Sequence, residues 1–516
     1  MSQPAAPDAT HLTSGRVLLR SLGWNALGAV FPVVLAVVSI PLLVRSLGVE
    51  RFGVLGLAWT LVGYFSLFDL GLGRALTHVV ADHIGQGRRD AVPALTWTAM
   101  AVLVPVGLLG VVLLWAVTPW LVERALRVPP ALRAESIAAF RILALAIPFT
   151  VAAAGLRGVL EAVQAFGRVT ALRMPLAFVT LAGPLLVVPF SATLPAAVGV
   201  LAAGRVLLLG LHVLAVRRAV PELGAAVRPR RAQLRALLAV SGWMTVSNVV
   251  SPLLTSLDRF VIGAVLSMGA VAHYTTAYES VTRLWLITAI VLPVLFPALA
   301  TCIASDPRRA ARLFDRGARA SMALTVPAAF LVSLLAPEWL GAWMGRGFAV
   351  AAAPLAQVFA AAVLVNVCGQ IAYTLVQSAG RADITGRLHL MELLPYAALL
   401  WLLLSAFGTL GAVFAWGTRV LVDSALLLVA ARRTLPAGAL AVRRLALVTG
   451  VSAPLVLVPL WIHGLAARLV FGAVCLAGFA RWALPALVAA DDRAAIRAAW
   501  RRLRAGTGRA APVAGV

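Results

Sequence analysis

The chain has 516 residues, of which 62% are hydrophobic and only 12% are charged, and its mean hydropathy is +0.96. A soluble protein of this length needs far more charge to cover its surface, so the composition excludes a soluble domain. The net charge of +25 comes from arginines spread between apolar blocks, a pattern that favours membrane topology and anionic lipid over nucleic acid. The cysteines and the seven histidines show no metal-ligand spacing, so neither a metal nor another cofactor is expected.

Repeated blocks of about twenty apolar residues predict transmembrane helices, and they lack the residue alternation of a membrane barrel. Residues 1–21 are polar and basic, and the first apolar block is too long for a signal peptide, which indicates a cytoplasmic tail followed by a retained helix. We therefore predict an all-α multi-pass membrane protein. Its fourteen predicted spans, numbered 1 to 14, cover residues 22–44, 53–77, 92–117, 137–160, 172–190, 196–216, 236–265, 272–301, 318–340, 353–378, 389–406, 409–431, 445–464 and 467–490.

The arginines orient these spans. Arginines within three residues of a span's end are counted with the adjoining side. With the N-terminus in the cytoplasm, 31 of the 44 arginines then fall on the cytoplasmic side, 7 fall on the opposite side and 6 lie deeper within spans. Because positively charged loops are retained in the cytoplasm, both termini are predicted to be cytoplasmic.

Span 2 carries two charges within the apolar stretch YFSLFDLGLGRAL. Asp69 and Arg74 are five residues apart, or about 140° around an ideal helix, so they are poorly placed to neutralise each other. Gly71 and Gly73 lie between them and would allow a close helix contact or a bend. Span 1 has a weaker polar row that begins at Asn25.

Spans 7 and 8 carry the most informative polar residues. A polar face avoids lipid, so that of span 7 borders either a wet cavity or a helix–helix contact, and Arg259 favours the cavity. Glu279 and Arg283 in span 8 have the i, i+4 order of a favourable ion pair, which suits a structural pair and a cavity pair equally. Asp258 lies at a depth similar to theirs, so the four charges could form one network. The polar face of span 7 comprises Ser241, Thr245, Asn248, Thr255 and Arg259.

Two further arginines, Arg205 and Arg419, lie in the middle of spans 6 and 12. An isolated arginine at that depth costs about 2.5–3.5 kcal/mol on insertion scales, so both are secondary candidates for function, with a buried pair between helices as the alternative. Asp423, one turn after Arg419, is a candidate partner. Span 10 has a neutral polar row on one face, formed by Asn366, Gln370, Thr374 and Gln377.

The tail at 491–516 is basic, and Ile496, Trp500 and Leu503 share one face of the stretch RAAIRAAWRRLR. An interfacial helix on the anionic lipids of the inner leaflet and a disordered basic tail both fit this pattern.

Short motifs recur in order at a nearly constant offset: GW at Gly23 and Gly242, QAFGR at Gln164 and QSAGR at Gln377, and an RVL…RR pair that starts at Arg205 and again at Arg419. This pattern predicts a duplicated unit of six helices, and two such bundles leave a cleft between them. The predicted organisation is an N-tail at 1–21, an N-lobe at 22–216, a basic cytoplasmic linker at 217–235, a C-lobe at 236–432, an extra helix pair at 445–490 and a C-tail at 491–516.

The sequence shows no nucleophile elbow, Walker loop or dinucleotide fingerprint, so a transporter is predicted and no catalytic residue is named. A membrane transferase would need a catalytic acid or histidine on a loop, and no convincing one is found. A multidrug antiporter of the MATE type is the main alternative. Its cavities favour acidic and aromatic residues for organic cations, whereas arginines outnumber clear acids within these spans.

Three segments carry a family resemblance: SIPLLVRSLGVERFGVLGLAWTLVGYFSLFDLGLGRALTHVVADHIGQG, LTSLDRFVIGAVLSMGAVAHYTTAYE and LVQSAGRADITGRLHLMELLPY. They resemble the bacterial polysaccharide-biosynthesis flippases, the Wzx-type oligosaccharide exporters, and the resemblance runs from about residue 20 to residue 440. That family shares a superfamily with the MATE drug exporters and the lipid II flippases. The superfamily's 6+6 lobes and optional extra helix pair match the repeat described above.

The resemblance implies a substrate and a mechanism. The substrate would be a polyprenyl-diphosphate-linked oligosaccharide, turned from the inner to the outer leaflet of the bacterial inner membrane by alternating access. Polysaccharide polymerase and glycosyltransferases would be further partners. By the same resemblance, the substrate-binding candidates are Arg74, Arg259, Arg283, Asn25 and Asn248, and the gating or ion-coupling candidates are Asp69, Asp258 and Glu279.

Under this resemblance, Asp69 and Arg74 of span 2 each have two interpretations. Arg74, near the cytoplasmic end of span 2, would either reach lipid phosphate or receive the substrate diphosphate as it enters the cleft. Asp69 would either pair with a cavity arginine until the diphosphate arrives or form a structural hydrogen bond inside the N-lobe.

Overall fold

The computed structural model describes residues 15–65, 72–224, 233–234 and 256–483, and within these ranges the side chains of residues 15–30, 74, 78, 166 and 222 lie outside the description. The described residues are almost entirely helical and contain no strand. Eight of their helical stretches are long and apolar enough to cross a membrane. The prediction of an all-α multi-pass membrane protein is therefore confirmed, while the count of fourteen spans stays a prediction.

Two helix boundaries coincide with residues that favour a turn or a cap. Helix α1 stops before Gly48, whose φ of +83° is one that side-chain-bearing residues rarely adopt. Helix α13 starts with a proline preceded by Asp306, whose Oδ1 accepts a hydrogen bond from the Arg309 backbone N–H at 2.9 Å. The helices of the first part of the chain are α1 Gly15–Leu47, α2 Val49–Tyr64, α3 Leu72–Gly85, α4 Ala91–Trp120, α5 Pro130–Ala144, α6 Ile147–Ala162, α7 Phe166–Leu181, α8 Gly183–Val187, α9 Leu194–Ala219, α10 256–265 and α11 Met268–Val281.

The second part of the chain contains one unusually long stretch, α16, which consists of two helices joined at Gly408. Gly408 has φ +59° and ψ −143°, and a Cβ at Gly411 would lie 1.8 Å from the Leu403 carbonyl oxygen, so the two segments turn sharply against each other. This break falls between predicted spans 11 and 12. The helices here are α12 Trp285–Cys302, α13 Pro307–Leu334, α14 Ala336–Met344, α15 Arg346–Ser378, α16 Ala382–Thr434, α17 Ala439–Leu457 and α18 Leu465–Gly478.

The chain divides into two compact units. The first contains Met1–Thr276, Leu340–Ala352 and His389–Ala415, and the second contains Ala277–Trp339, Ala353–Leu388 and Trp416–Val516. The predicted six-plus-six lobes rest on the sequence repeat and stay a prediction.

Small residues bring the helices of the first unit close together. A Cβ at Gly158 of α6 would lie 2.4 Å from the Gly73 carbonyl oxygen of α3, and a Cβ at Gly107 of α4 would lie 2.7 Å from the Pro148 Cα of α6. Such contacts replace the hydrophobic driving force that lipid does not supply between membrane helices. Gly73 therefore makes the kind of close helix contact predicted for span 2.

An aromatic cluster forms the core of the second unit. The rings of Tyr278, Phe359 and Trp416 meet edge to face with centroid separations of 5.4 to 5.8 Å. All three side chains are buried. The cluster joins the C-terminal end of α11 to α15 and α16, with geometry that aromatic rings prefer.

Candidate functional site

The first unit holds a buried pair of opposite charges, Asp258 and Arg259, on α10. Asp258 is 1% exposed and Arg259 is 7% exposed. The Tyr274 hydroxyl of α11 donates a hydrogen bond to Asp258 Oδ2, and the Arg259 backbone N–H donates to Asp258 Oδ1 at 2.8 Å. These bonds offset the cost of burying the carboxylate, and the adjacent guanidinium makes the cluster neutral overall.

The guanidinium of Arg259 is directed towards α2. Its Nη1 lies 3.4 Å from Thr60 Oγ1, which in turn donates to the Gly56 carbonyl oxygen at 2.9 Å. One turn further along α2, the ring of Tyr64 packs on that of Phe260, with the ring centroids 5.9 Å apart. Arg259 therefore connects α10, which belongs to the second predicted half of the chain, to α2, which belongs to the first.

The N-terminal turns of α2 and α11 approach each other very closely. Glu50 Oε2 accepts a hydrogen bond from the Gly269 N–H at 3.0 Å, so a carboxylate from α2 caps the N-terminus of α11. Ser267 Oγ accepts from the Ala270 N–H at 3.1 Å in the same turn. A Cβ at Gly53 would lie only 1.9 Å from the Met268 carbonyl oxygen. The two helices can meet at this distance only because residue 53 has no side chain.

The second unit holds the other predicted charge pair. Arg283 Nη2 lies 3.2 Å from Glu279 Oε2, and both side chains are 37% exposed. Thr282 Oγ1 donates to the Tyr278 carbonyl oxygen at 2.8 Å on the same stretch. The i, i+4 pair expected from the sequence is therefore formed, and its partial exposure leaves both charges within reach of solvent or a ligand.

A cavity of 460 Å³ opens in the second unit between α12 and α15. Three members of the row predicted on span 10, Gln370, Thr374 and Gln377, contribute to its polar lining. Gln370 accepts a hydrogen bond from Thr288 Oγ1 at 2.8 Å and donates to Asn366 Oδ1 at 2.7 Å. Gln377 donates to the Tyr373 hydroxyl at 3.0 Å and to Thr385 Oγ1 at 2.7 Å. The lining is formed by Trp285, Thr288, Ala289, Leu292, Pro293, Phe296, Gln370, Tyr373, Thr374 and Gln377.

The remaining candidates are described only in part. Asp69 and Asn248 lie outside the described residues, and for Asn25 and Arg74 only the helical backbone is described. Arg205 is 7% exposed on α9, with Nη2 3.4 Å from Thr180 Oγ1 of α7. Arg419 lies in α16.

Two contacts at this site were not predicted from the sequence, and only one of them had a signal there. Glu50 and Gly269 are 219 residues apart, and no local pattern relates them. Tyr274 had a usable signal, because α10 and α11 are joined by the short link 266–267 and Tyr274 lies about as far after it as Asp258 lies before it. In a helical hairpin, residues at equal distance from the turn face each other.

Among the described residues, no group of His, Cys, Asp and Glu is arranged to hold a metal ion.

The fold is that of a known class of membrane transporter. A structure titled "Inward-facing conformation of a multidrug resistance MATE family transporter of the MOP superfamily" matches with a TM-score of 0.65 and 12% identity, covering 82% of this chain and 99% of its own. The "Lipid II flippase MurJ, inward closed conformation" matches with a TM-score of 0.62 and 11% identity, covering 88% of this chain and 99% of its own. At these identities the likeness establishes the fold.

The family follows from the sequence itself. The family described as "Polysaccharide biosynthesis protein" matches residues 42–353, more than half of the chain, and the chain belongs to it. A protein of Shigella flexneri named "Putative O-antigen transporter" is 29% identical over 411 residues, covering 80% of this chain and 96% of its own length. The family and these relatives are transporters and flippases, so this chain is a membrane transporter of polysaccharide biosynthesis and not an enzyme.

Proposed function

We propose that this protein moves a polyprenyl-diphosphate-linked oligosaccharide from the inner to the outer leaflet of the bacterial inner membrane. Family membership over residues 42–353 carries the proposal. The relative named as an O-antigen transporter and the fold shared with a lipid II flippase support it, because both names describe the handling of a lipid-linked glycan or its product.

The diphosphate imposes the main chemical demand. It carries at least two negative charges, and its passage through hydrocarbon requires cations and hydrogen-bond donors along the path. Arg259 and Arg283 supply guanidinium groups suited to two-point contact with phosphate oxygens. Arg283, now 3.2 Å from Glu279, could exchange that carboxylate for a phosphate. Glu279 is 37% exposed, so it would not be left as a buried unpaired charge. In this proposal Arg74, Asn25 and Asn248 line the same path, and Asp69 and Asp258 take part in gating.

The cavity between α12 and α15 suits the sugar part of the substrate. Trp285, Phe296 and Tyr373 provide aromatic rings, and Gln370 and Gln377 provide amides. Flat rings pack on the apolar faces of sugars, and amides hydrogen-bond to sugar hydroxyl groups. Its described lining carries no charge, so it suits the uncharged portion of a glycan and leaves the diphosphate to the arginines.

Alternating access would account for the close approach of α2 and α11. In the orientation predicted from the arginines, Glu50 and Gly269 would lie on the external side, where their hydrogen bond would hold the external entrance closed. The repeat assigns α2 to the first half of the chain and α11 to the second. Transport would then break this contact and open the opposite side in turn.

The proposal is tested by deleting the gene in its own host and analysing the lipid-linked glycans. We expect complete lipid-linked oligosaccharide to accumulate in the inner membrane while surface polysaccharide is lost, and a plasmid copy to reverse both effects. Unchanged surface polysaccharide, with a gain in sensitivity to organic cations, would instead support the multidrug antiporter.

A further inference from the structure

A basic pocket that the transport proposal does not use lies at the beginning of α13, in the second unit. Its volume is 440 Å³. Leu313 is the only apolar residue of the described lining, and the rest is charged. The lining is formed by Arg309, Arg312, Leu313, Asp315, Arg316 and Arg319.

The acidic residue of the pocket is already neutralised. Asp315 Oδ2 lies 2.6 Å from Arg319 Nη2, and Asp315 Oδ1 lies 2.7 Å from Arg444 Nη1 of α17. One carboxylate therefore joins two guanidinium groups and fixes the wall of the pocket. Because the Asp315 carboxylate already pairs with Arg319 and Arg444, it does not neutralise the other arginines of the pocket.

Three arginines of the pocket lack such compensation. Arg309, Arg312 and Arg316 are exposed, and within the described part of the chain their side chains form no ion pair. Their spacing of three and four residues places them on one face of α13, with neighbours only about 5–6 Å apart. Like charges at this spacing repel each other, and an anion among them would remove the repulsion.

The position and lining of the pocket indicate the kind of anion. Predicted span 9 begins at residue 318, so the pocket lies where α13 leaves the apolar region, at the depth of lipid headgroups. Arginine forks match phosphate oxygens, and the N-terminal end of a helix adds partial positive charge. Leu313 offers an apolar contact that suits the glycerol and upper acyl chain of a lipid better than a free ion.

We propose that this pocket binds the phosphate headgroup of an anionic phospholipid. The headgroup would lie across Arg309, Arg312 and Arg316, with the Arg319–Asp315–Arg444 bridge as a fixed support. This site is separate from the residues proposed for transport, so its occupancy and glycan export can be measured independently.

The test uses purified full-length protein in detergent and short-chain phosphatidylglycerol as the probe, with bound lipid counted by native mass spectrometry. We expect phosphatidylglycerol to bind the wild-type protein and phosphatidylcholine to bind much more weakly. Replacing Arg309, Arg312 and Arg316 with Gln should weaken phosphatidylglycerol binding by about tenfold or more, since three charge-assisted contacts are lost. With phosphatidylcholine present, the triple variant should unfold at the same temperature as the wild-type protein, because the three replaced arginine side chains are exposed.

A matched control removes the same charge elsewhere. Arg217, Arg218 and Arg433 are exposed and lie outside the pocket, so their replacement with Gln should leave phosphatidylglycerol binding within about twofold. Equal losses in both triple variants would show that net charge alone attracts the lipid and would overturn the proposal. The proposal would also be overturned if the triple variant at Arg309, Arg312 and Arg316 bound phosphatidylglycerol as well as the wild-type protein does. Binding of inorganic phosphate as tight as that of phosphatidylglycerol would overturn it too.

A single substitution keeps the test valid if the triple variant does not fold. Arg312→Gln alone should weaken phosphatidylglycerol binding about threefold, because one of three phosphate contacts is lost. Wild-type affinity in a folded Arg312→Gln protein would contradict the site.

Discussion

Replacing Gly53 with alanine tests the close approach of α2 and α11. The added Cβ would lie 1.9 Å from the Met268 carbonyl oxygen, whereas ordinary contacts begin near 3.4 Å, so the helices must separate by about 1.5 Å. The Glu50–Gly269 hydrogen bond, now 3.0 Å long, cannot survive that separation. We expect Gly53→Ala to destabilise the protein.

Gly56→Ala is the matched control on the same helix. Its Cβ would lie 3.8 Å from the nearest Thr275 atoms, which is ordinary contact distance. Both substitutions gain up to about 1 kcal/mol of helix propensity, so this term cancels between them. Overpacking costs about 1–3 kcal/mol, and losing a hydrogen bond to a charged group costs about 1.5–3 kcal/mol. The two costs together come to about 2.5–6 kcal/mol, so Gly53→Ala should be less stable than Gly56→Ala by at least about 2.5 kcal/mol.

The assay is thermal unfolding of both purified variants in one detergent, compared with the wild-type protein. The apparent transition of Gly53→Ala should lie several degrees below that of the wild-type protein, and that of Gly56→Ala should lie at or above it. Indistinguishable transitions for the two variants would refute the proposed packing of α2 against α11.

Two further outcomes follow from topology and from a buried ion pair. In a protein freed of its native cysteines, a cysteine at Ala192 should react with an impermeant thiol reagent outside intact cells, and one at Gly506 should not; labelling of the tail would overturn the predicted orientation. Arg468→Gln should destabilise the protein by about 2 kcal/mol, because the partly exposed Glu338 carboxylate loses its contact at 2.5 Å and the Leu334 carbonyl oxygen loses a donor at 3.3 Å. The exposed Arg346→Gln is its control, and equal melting of the two variants would contradict this expectation.

Features set by local periodicity could be predicted from the sequence. The apolar blocks predict the long helices, and the break at Gly408 falls between two of them. The i, i+4 spacing of Glu279 and Arg283 predicts the ion pair that forms, because a helix brings such residues together without help from the rest of the fold. Gln370, Thr374 and Gln377 of the predicted polar row likewise line one cavity.

Contacts between distant segments could not be predicted in this way. Thr60 lies near Arg259 across 199 residues of chain, and this distance depends on how α2 and α10 pack. Gly53 looks like any other small residue of an apolar helix until the Met268 carbonyl oxygen is found against it. Hydropathy predicts which helix faces avoid water. It does not predict which helices pack together in a membrane, because lipid is as apolar as the helix surfaces themselves. Tertiary packing alone decides these pairs.

The central claim is that arginines in the membrane guide an anionic lipid-linked glycan from one leaflet to the other. The most direct measurement is flipping of the host's own lipid-linked oligosaccharide in vesicles that contain the purified protein, scored by its access to a glycan-modifying enzyme added outside. We predict flipping by the wild-type protein, loss of flipping in the Arg259→Ala, Arg283→Ala double variant, and partial recovery with lysine at both positions, because lysine keeps the charge but not the planar fork. Wild-type flipping by a folded double alanine variant would contradict the claim.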